Sequence, residues 1–138
     1  MLLSVGGSCK STITVPESEL AVGRARWAMV APAAYTVVIS RSCECLEPAV
    51  GPVFITVRNG VAQSRQYTRT GAPVATSRAD WFPTVEGLFA VIDAAIRDGI
   101  QPIQVSYDPT LGYPTRVFIG DTSSDGGAGY LARDVQIQ

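Results

Sequence analysis

The sequence contains no histidine. That excludes Ser-His-Asp triads, Cys-His nucleophile pairs and every histidine-ligated metal site. Lysine is nearly missing too: Lys10 stands alone, and the other basic residues are all arginine. Basic and acidic residues nearly balance, 11 against 12, giving a net charge of −1 with no basic run. The electrostatic footprint of a nucleic-acid binder is therefore lacking. The longest apolar run near the start, Met1-Leu2-Leu3-Ser4-Val5, falls far short of a membrane span. What remains is 138 residues, 46% hydrophobic and 17% charged, the balance of a globular chain rather than a disordered one. That length suits one domain and can bury a sizeable core without metal or disulfide staples.

Residues 1–15 read as an N-terminal tether or signal remnant, and 16–138 as a single domain. Met1 to Val5 resembles the end of a signal peptide's apolar region. Gly6, Gly7 and Ser8 then precede Cys9 in the manner of a bacterial lipoprotein cleavage site, which makes Cys9 a lipidation candidate, although the usual basic leader is missing.

The spacing predicts a helix over Pro16–Val30. Thr14 and Glu17 have capping-box spacing, Pro16 suits a first turn, and Leu20, Gly23, Trp27 and Val30 form one stripe. Ala31-Pro32 stops it. Tyr35–Ser40 alternates as a strand, and Arg41–Gly51 reads as a loop. Strands Val53–Arg58 and Val61–Thr68 flank Asn59-Gly60, a strong hairpin signal. Thr70–Phe82 reads as a loop.

Thr84 then caps a second helix, with Glu86 in its first turn near the positive end of the dipole. Val85, Leu88, Phe89, Ile92 and Ile96 form its buried stripe, Asp93 and Arg97 an i,i+4 pair, and Gly99 its C-cap. Ile103, Val105 and Tyr107 alternate with Gln104 and Ser106, and beyond a turn Val117 and Ile119 alternate with Arg116 and Phe118. Ala128–Ile137 ends the chain as a strand, with Leu131, Val135 and Ile137 expected on one face. The order αβββαβββ with short connections predicts an α+β domain: a mainly antiparallel sheet of about six strands with two helices on one face. The halves share an order of elements but no residue-level repeat.

Cys43 and Cys45 are the sharpest local feature. On an extended strand their Cα atoms would lie about 6.5–7 Å apart, at the limit for a disulfide. A kinked loop permits a strained, reducible staple, the disulfide candidate here; redox or metal chemistry is the alternative, but two thiolates without histidine leave a metal short of ligands. A lipidated Cys9 plus that pair would account for all three cysteines. Asp121, Ser123 and Asp125, followed by Gly126, have the spacing of half a calcium loop, but Ala132 stands where a bidentate Glu belongs, so a polar turn fits better. Asp108, Pro109 and Gly112 are turn residues that set a hairpin register. The functional alternative for this loop is a partner-binding surface with Trp81, Tyr107 and Tyr113 as aromatic anchors. A catalytic carboxylate pair such as Asp108 with Asp121 has nothing specific in its favour.

Several pieces carry a resemblance as a set. They are Trp27 ahead of Tyr35, Cys43-Glu44-Cys45, and Val53-x-Ile55-x-Val57-Arg58-Asn59-Gly60. Phe82-Pro83-Thr84-Val85-Glu86-x-Leu88-Phe89, Val105-x-Tyr107-Asp108-Pro109 and Leu111-Gly112-Tyr113-Pro114-Thr115 follow. Over roughly Trp27 to Ile119 the chain resembles a bacterial domain-of-unknown-function family of small exported proteins, often lipoproteins. That family usually carries an acidic run near its last strands, where this chain has Asp121-Thr-Ser-Ser-Asp125-Gly126-Gly127. The resemblance implies fold and export and brings no established activity. The resulting expectation is an exported, periplasmic or cell-envelope domain without enzymatic activity or cofactor, serving protein interaction as an accessory subunit of a membrane complex. A lipid anchor at the N-terminus would hold it there. A small-ligand or calcium-binding periplasmic module is the alternative, and an enzyme the least favoured reading.

Overall fold

Residue alternation decides which side of the sheet is closed. Strand β1 (Ala34–Arg41) turns Tyr35, Val37 and Ile39 to one side, and β2 (Val53–Arg58) turns Val53, Ile55 and Val57 the same way; all of these are fully buried. The computed structural model describes residues 15–42, 47–120 and 128–138. Around those strands run α1 (Val15–Val30), the one-turn helix α2 (Glu47–Val50), β3 (Val61–Tyr67) and a 3₁₀ turn (Thr76–Trp81). Helix α3 (Val85–Arg97), β4 (Ile103–Tyr107), β5 (Pro114–Ile119) and β6 (Ala128–Ile137) complete the chain. The six strands form one antiparallel sheet in the order β3-β2-β1-β6-β5-β4. The α+β class and six-stranded antiparallel sheet are as expected. The two meanders lie side by side in the same sense, the first strand of one beside the last strand of the other.

Helix α3 carries the chain from the β3 edge to the β4 edge. Thr84 caps it, its Oγ1 accepting from Gly87 N–H at 3.0 Å. Val85, Leu88, Phe89, Ile92 and Ala95 are buried, while the expected Ile96 is only half-buried. Each large apolar side chain so buried contributes about 1.5–3 kcal/mol. Gly99 N–H donates to Ile96 O and Ile100 N–H to Ala95 O, a Schellman close to the helix. Asp93 and Arg97 pair at 3.2 Å on the exposed side. Asn59 and Gly60 take positive φ of 52° and 78°, as the β2–β3 hairpin requires.

Three expectations are corrected. Within the expected 41–51 loop, Glu47–Val50 is a helical turn, consistent with Pro48 in its opening residues. Thr70–Phe82 contains the 3₁₀ turn, and Pro73 bridges to Gln66. Leu131 does not share a face with Val135 and Ile137. Asp134 takes φ 56° where the β1–β6 register shifts, so one extra residue in β6 reverses the alternation and leaves Leu131 on the outer side. The expected Thr14 cap, Cys9, Cys43, Cys45, Asp121, Ser123 and Asp125 lie outside the described residues.

Helix α1 reaches the sheet through glycine. A Cβ on Gly23 would stand 2.7 Å from Tyr107 Cδ2 and 2.8 Å from Gly112 O. A Cβ on Gly112, at φ +89°, would collide with Gly23 O and meet Arg26 Cβ at 2.6 Å. The helix and the β4–β5 turn thus touch backbone to backbone. Gly112→Ala combines backbone strain with overpacking and is expected to cost roughly 2–5 kcal/mol in urea unfolding. Gly71→Ala, at φ +76° with nothing within 4 Å, carries the strain alone and serves as the control. Equal losses for the two variants would refute the close contact as the source.

Candidate functional site

The strongest polar cluster is internal. Glu86, half-buried in the first turn of α3, accepts from Trp27 Nε1 at 3.0 Å through one oxygen and from the Tyr35 hydroxyl at 2.6 Å through the other. The Tyr35 hydroxyl accepts in turn from Val85 N–H at 3.0 Å. Burial, then the hydrogen bond and charge of Glu86, push the Tyr35 pKa far above the ordinary tyrosine value. Trp27 packs edge-on to Tyr35 with centroids 5.1 Å apart. These bonds make the cluster a brace between α1, β1 and α3. The sequence offered Glu86 only as a dipole partner; its bonds span more than fifty positions, and no local signal foretells them.

The three expected aromatic anchors do not meet. Tyr113 is 7% exposed and packs on Trp27 at 6.2 Å, so its expected exposure is corrected: α1 covers it. Tyr107 lies against Gly23 with its hydroxyl buried, and burial, reinforced by Glu19 and opposed by Arg24, raises its pKa to about 12. Burial raises Tyr113 likewise, helped by Asp108 and Asp134. Asp108 Oδ2 accepts from Thr110 N–H at 3.1 Å and Leu111 N–H at 2.7 Å, which fixes the turn as its residue types indicated. Trp81 alone is open, at 36%, with the Arg41 and Arg78 guanidinium groups 5.4 and 5.7 Å from its ring centroid. It stands by the C-terminal residue of β1, whereas Tyr113 belongs with Trp27 and Tyr35 near that strand's start.

The surface that sequence reasoning missed is the outer side of the sheet, opposite the helices. Register puts Phe54 of β2 beside Val38 of β1, Ser40 beside Leu131 of β6, and Leu131 beside Arg116 of β5. Phe118 shares the face two residues on. Phe54 is 37% and Leu131 39% exposed; Phe118 is half-buried. Arg58, Arg116 and Arg133 stand on the same side, and Arg133 pairs with Asp134 at the bulge. The result is a surface of exposed apolar side chains set among arginines, with a groove crossing it past Arg116, Phe118 and Leu131. A signal was present: Phe54 and Phe118 have the opposite parity from the buried Val53, Ile55, Val117 and Ile119 on either side of them. On the helix side, Arg65 donates from Nε to Phe82 O at 2.7 Å, its pKa lowered by burial. Among the described residues, no group of three or more acidic or cysteine side chains could hold a metal ion, and no helix is long and apolar enough to cross a membrane.

The tyrosine shifts set an alkaline limit. In the unfolded chain tyrosines ionise at about pH 10. Above that pH the unfolded state has lost protons that Tyr35, Tyr107 and Tyr113 retain in the fold, so stability is full below about pH 10 and falls as pH rises. Tyr35→Phe is expected to make that fall shallower in urea titrations between about pH 9 and 11. It should also cost about 1–3 kcal/mol at neutral pH, because Val85 N–H and one Glu86 oxygen lose their partner. An unchanged alkaline slope would contradict the role given to Tyr35.

Neither a curated protein nor a solved structure matches the chain. A match over residues 19–137 identifies it with a described family, and the chain belongs to that family of unknown function, DUF6174.

Proposed function

We propose that this chain is a non-enzymatic protein-interaction domain of the bacterial cell envelope, an accessory subunit that meets a larger membrane complex through the outer face of its sheet. The observation that carries the reading is the exposure of Phe54 and Leu131 on that face, with Phe118 on the strand next to Leu131 and Arg58, Arg116 and Arg133 on the same side. An antiparallel sheet that only had to be stable would show polar side chains there. Aromatic and arginine side chains together are the composition of interface hot spots. The fitting partner is a protein surface with an apolar centre and carboxylates around it. The envelope part of the proposal rests on the sequence, where Cys9 follows an apolar stretch and the small residues Gly6, Gly7 and Ser8.

The test is affinity purification of the tagged full chain from envelope membranes, beside the double variant Phe54→Glu, Leu131→Glu. The wild type should bring down one partner in constant ratio. The variant should keep its circular dichroism spectrum and lose the partner, since removing a hot-spot anchor costs about 2 kcal/mol or more, roughly 30-fold in affinity. Recovery of the free chain alone, or a partner held equally by both forms, would sink the proposal.

A further inference from the structure

The two edges of the sheet are treated differently. At the β3 edge the chain covers itself: Tyr67 N–H donates to Ala72 O and Val74 N–H to Arg65 O, both at 2.9 Å. At the β4 edge no such bonds occur among the described residues. Gly120 N–H donates to Pro102 O, and with the register Gln104 opposite Phe118 and Ser106 opposite Arg116, the even-numbered residues bond inward to β5. The backbone groups of Ile103, Val105 and Tyr107 therefore point outward, and among the described residues no hydrogen bond reaches them. The irregularity in this pair belongs to β5, where Thr115 is the extra residue, so β4 itself runs straight. None of the usual edge guards is present within it: Ile103-Gln104-Val105-Ser106-Tyr107 has no charge and no proline.

The surroundings of this edge mix apolar and charged side chains. An open groove of about 810 Å³ reaches from β4 across β5 and β6, bordered by Val15, Pro16 and Glu19 of α1, and its neighbour beside β4 is lined by Glu19, Val22, Arg26 and Tyr107. Val15 is 68% and Val22 49% exposed, and both stand on the side of α1 that overhangs β4.

We propose that the β4 edge pairs with the β4 edge of a second copy of this chain. Antiparallel pairing about a two-fold axis through Val105 sets Val105 opposite itself and Ile103 opposite Tyr107 of the other copy. Each such pair exchanges both of its N–H···O bonds using groups that have no partner among the described residues. The axis stands perpendicular to the sheet, so the six-stranded sheets merge into one, both helix layers lie on the same side, and the exposed valines of the two α1 helices approach the seam. A second copy fits better than a foreign strand because β4 itself is uncharged, is its own complement under the two-fold, and is bordered by both an acidic and a basic side chain, Glu19 and Arg26, so each copy carries both signs to the seam. This goes beyond the outer-face reading and does not depend on it.

Sedimentation equilibrium of the full chain tests the pairing. The wild type should approach twice the 14.6 kDa chain mass as concentration rises. Val105→Pro removes one outward donor and no bond to β5, and should run as a monomer. Gln104→Lys with Ser106→Lys alters only exposed side chains and puts like charges across the seam; it should also be monomeric, with an unchanged melting temperature. A wild type that stays at the chain mass at every concentration, or a dimer that the lysine variant leaves intact, overturns the proposal.

Discussion

Glu86 is the side chain on which the arrangement of layers depends. A carboxylate in the first turn of a helix is favoured by the dipole before it touches anything else. Here its two oxygens are taken by Trp27 from α1 and Tyr35 from β1. The same Tyr35 hydroxyl receives Val85 N–H, one of the amides that a helix start leaves without an internal partner. Thr84 takes another through Gly87 N–H. Capping of α3 and docking of α1 are thus one network. Loss of either aromatic partner would leave a half-buried carboxylate with an unsatisfied oxygen, a larger penalty than the bond alone is worth.

With α3 held over β5 and β4 and tied at its start to β1 through Tyr35, α1 packs beside it against β4, and Gly23 against Gly112 sets how near it comes. Both helices then lie on one face. That choice has a consequence for the other face, which no described helix covers. It also leaves the edges unequal. Residues 72–74 close one of them as the chain leaves β3, while β4 is reached from a helix and left by a tight turn, and among the described residues no backbone bond reaches its outer side.

Much of this was legible where the signal is local. Asn59-Gly60, the Thr84 cap, the helix end at Gly99 and the Asp93–Arg97 pair depend on a few adjacent residues, and each appears as its spacing indicated. Strand order was not legible, because nothing near β1 says that its second neighbour is β6. Leu131 was misassigned because one Asp at positive φ inserts a residue that period-two counting cannot see. Tyr113 looked like an exposed loop residue because its cover, Trp27, arrives from a distant helix. Of the expected anchors only Trp81 is open. Phe54 and Phe118 could have been found by asking which apolar residues break the parity of their own strands.

The distribution of aromatic rings bears on function. Burial favours phenylalanine over tyrosine, since a tyrosine hydroxyl needs a partner inside. In this domain Tyr35 is wholly buried and Phe54 is more than one-third exposed. The inward tyrosine has its explanation in Glu86, which makes the hydroxyl structural. The fold explains the outward phenylalanine only in part: across the strands it meets Val38, itself 6% exposed, and Gln66, yet more than one-third of it stays open. It lies on the same side as Leu131, two strands away, and as Arg58, Arg116 and Arg133, and keeps in water apolar area that the sheet does not cover. That leftover area is what the proposed interaction surface would bury.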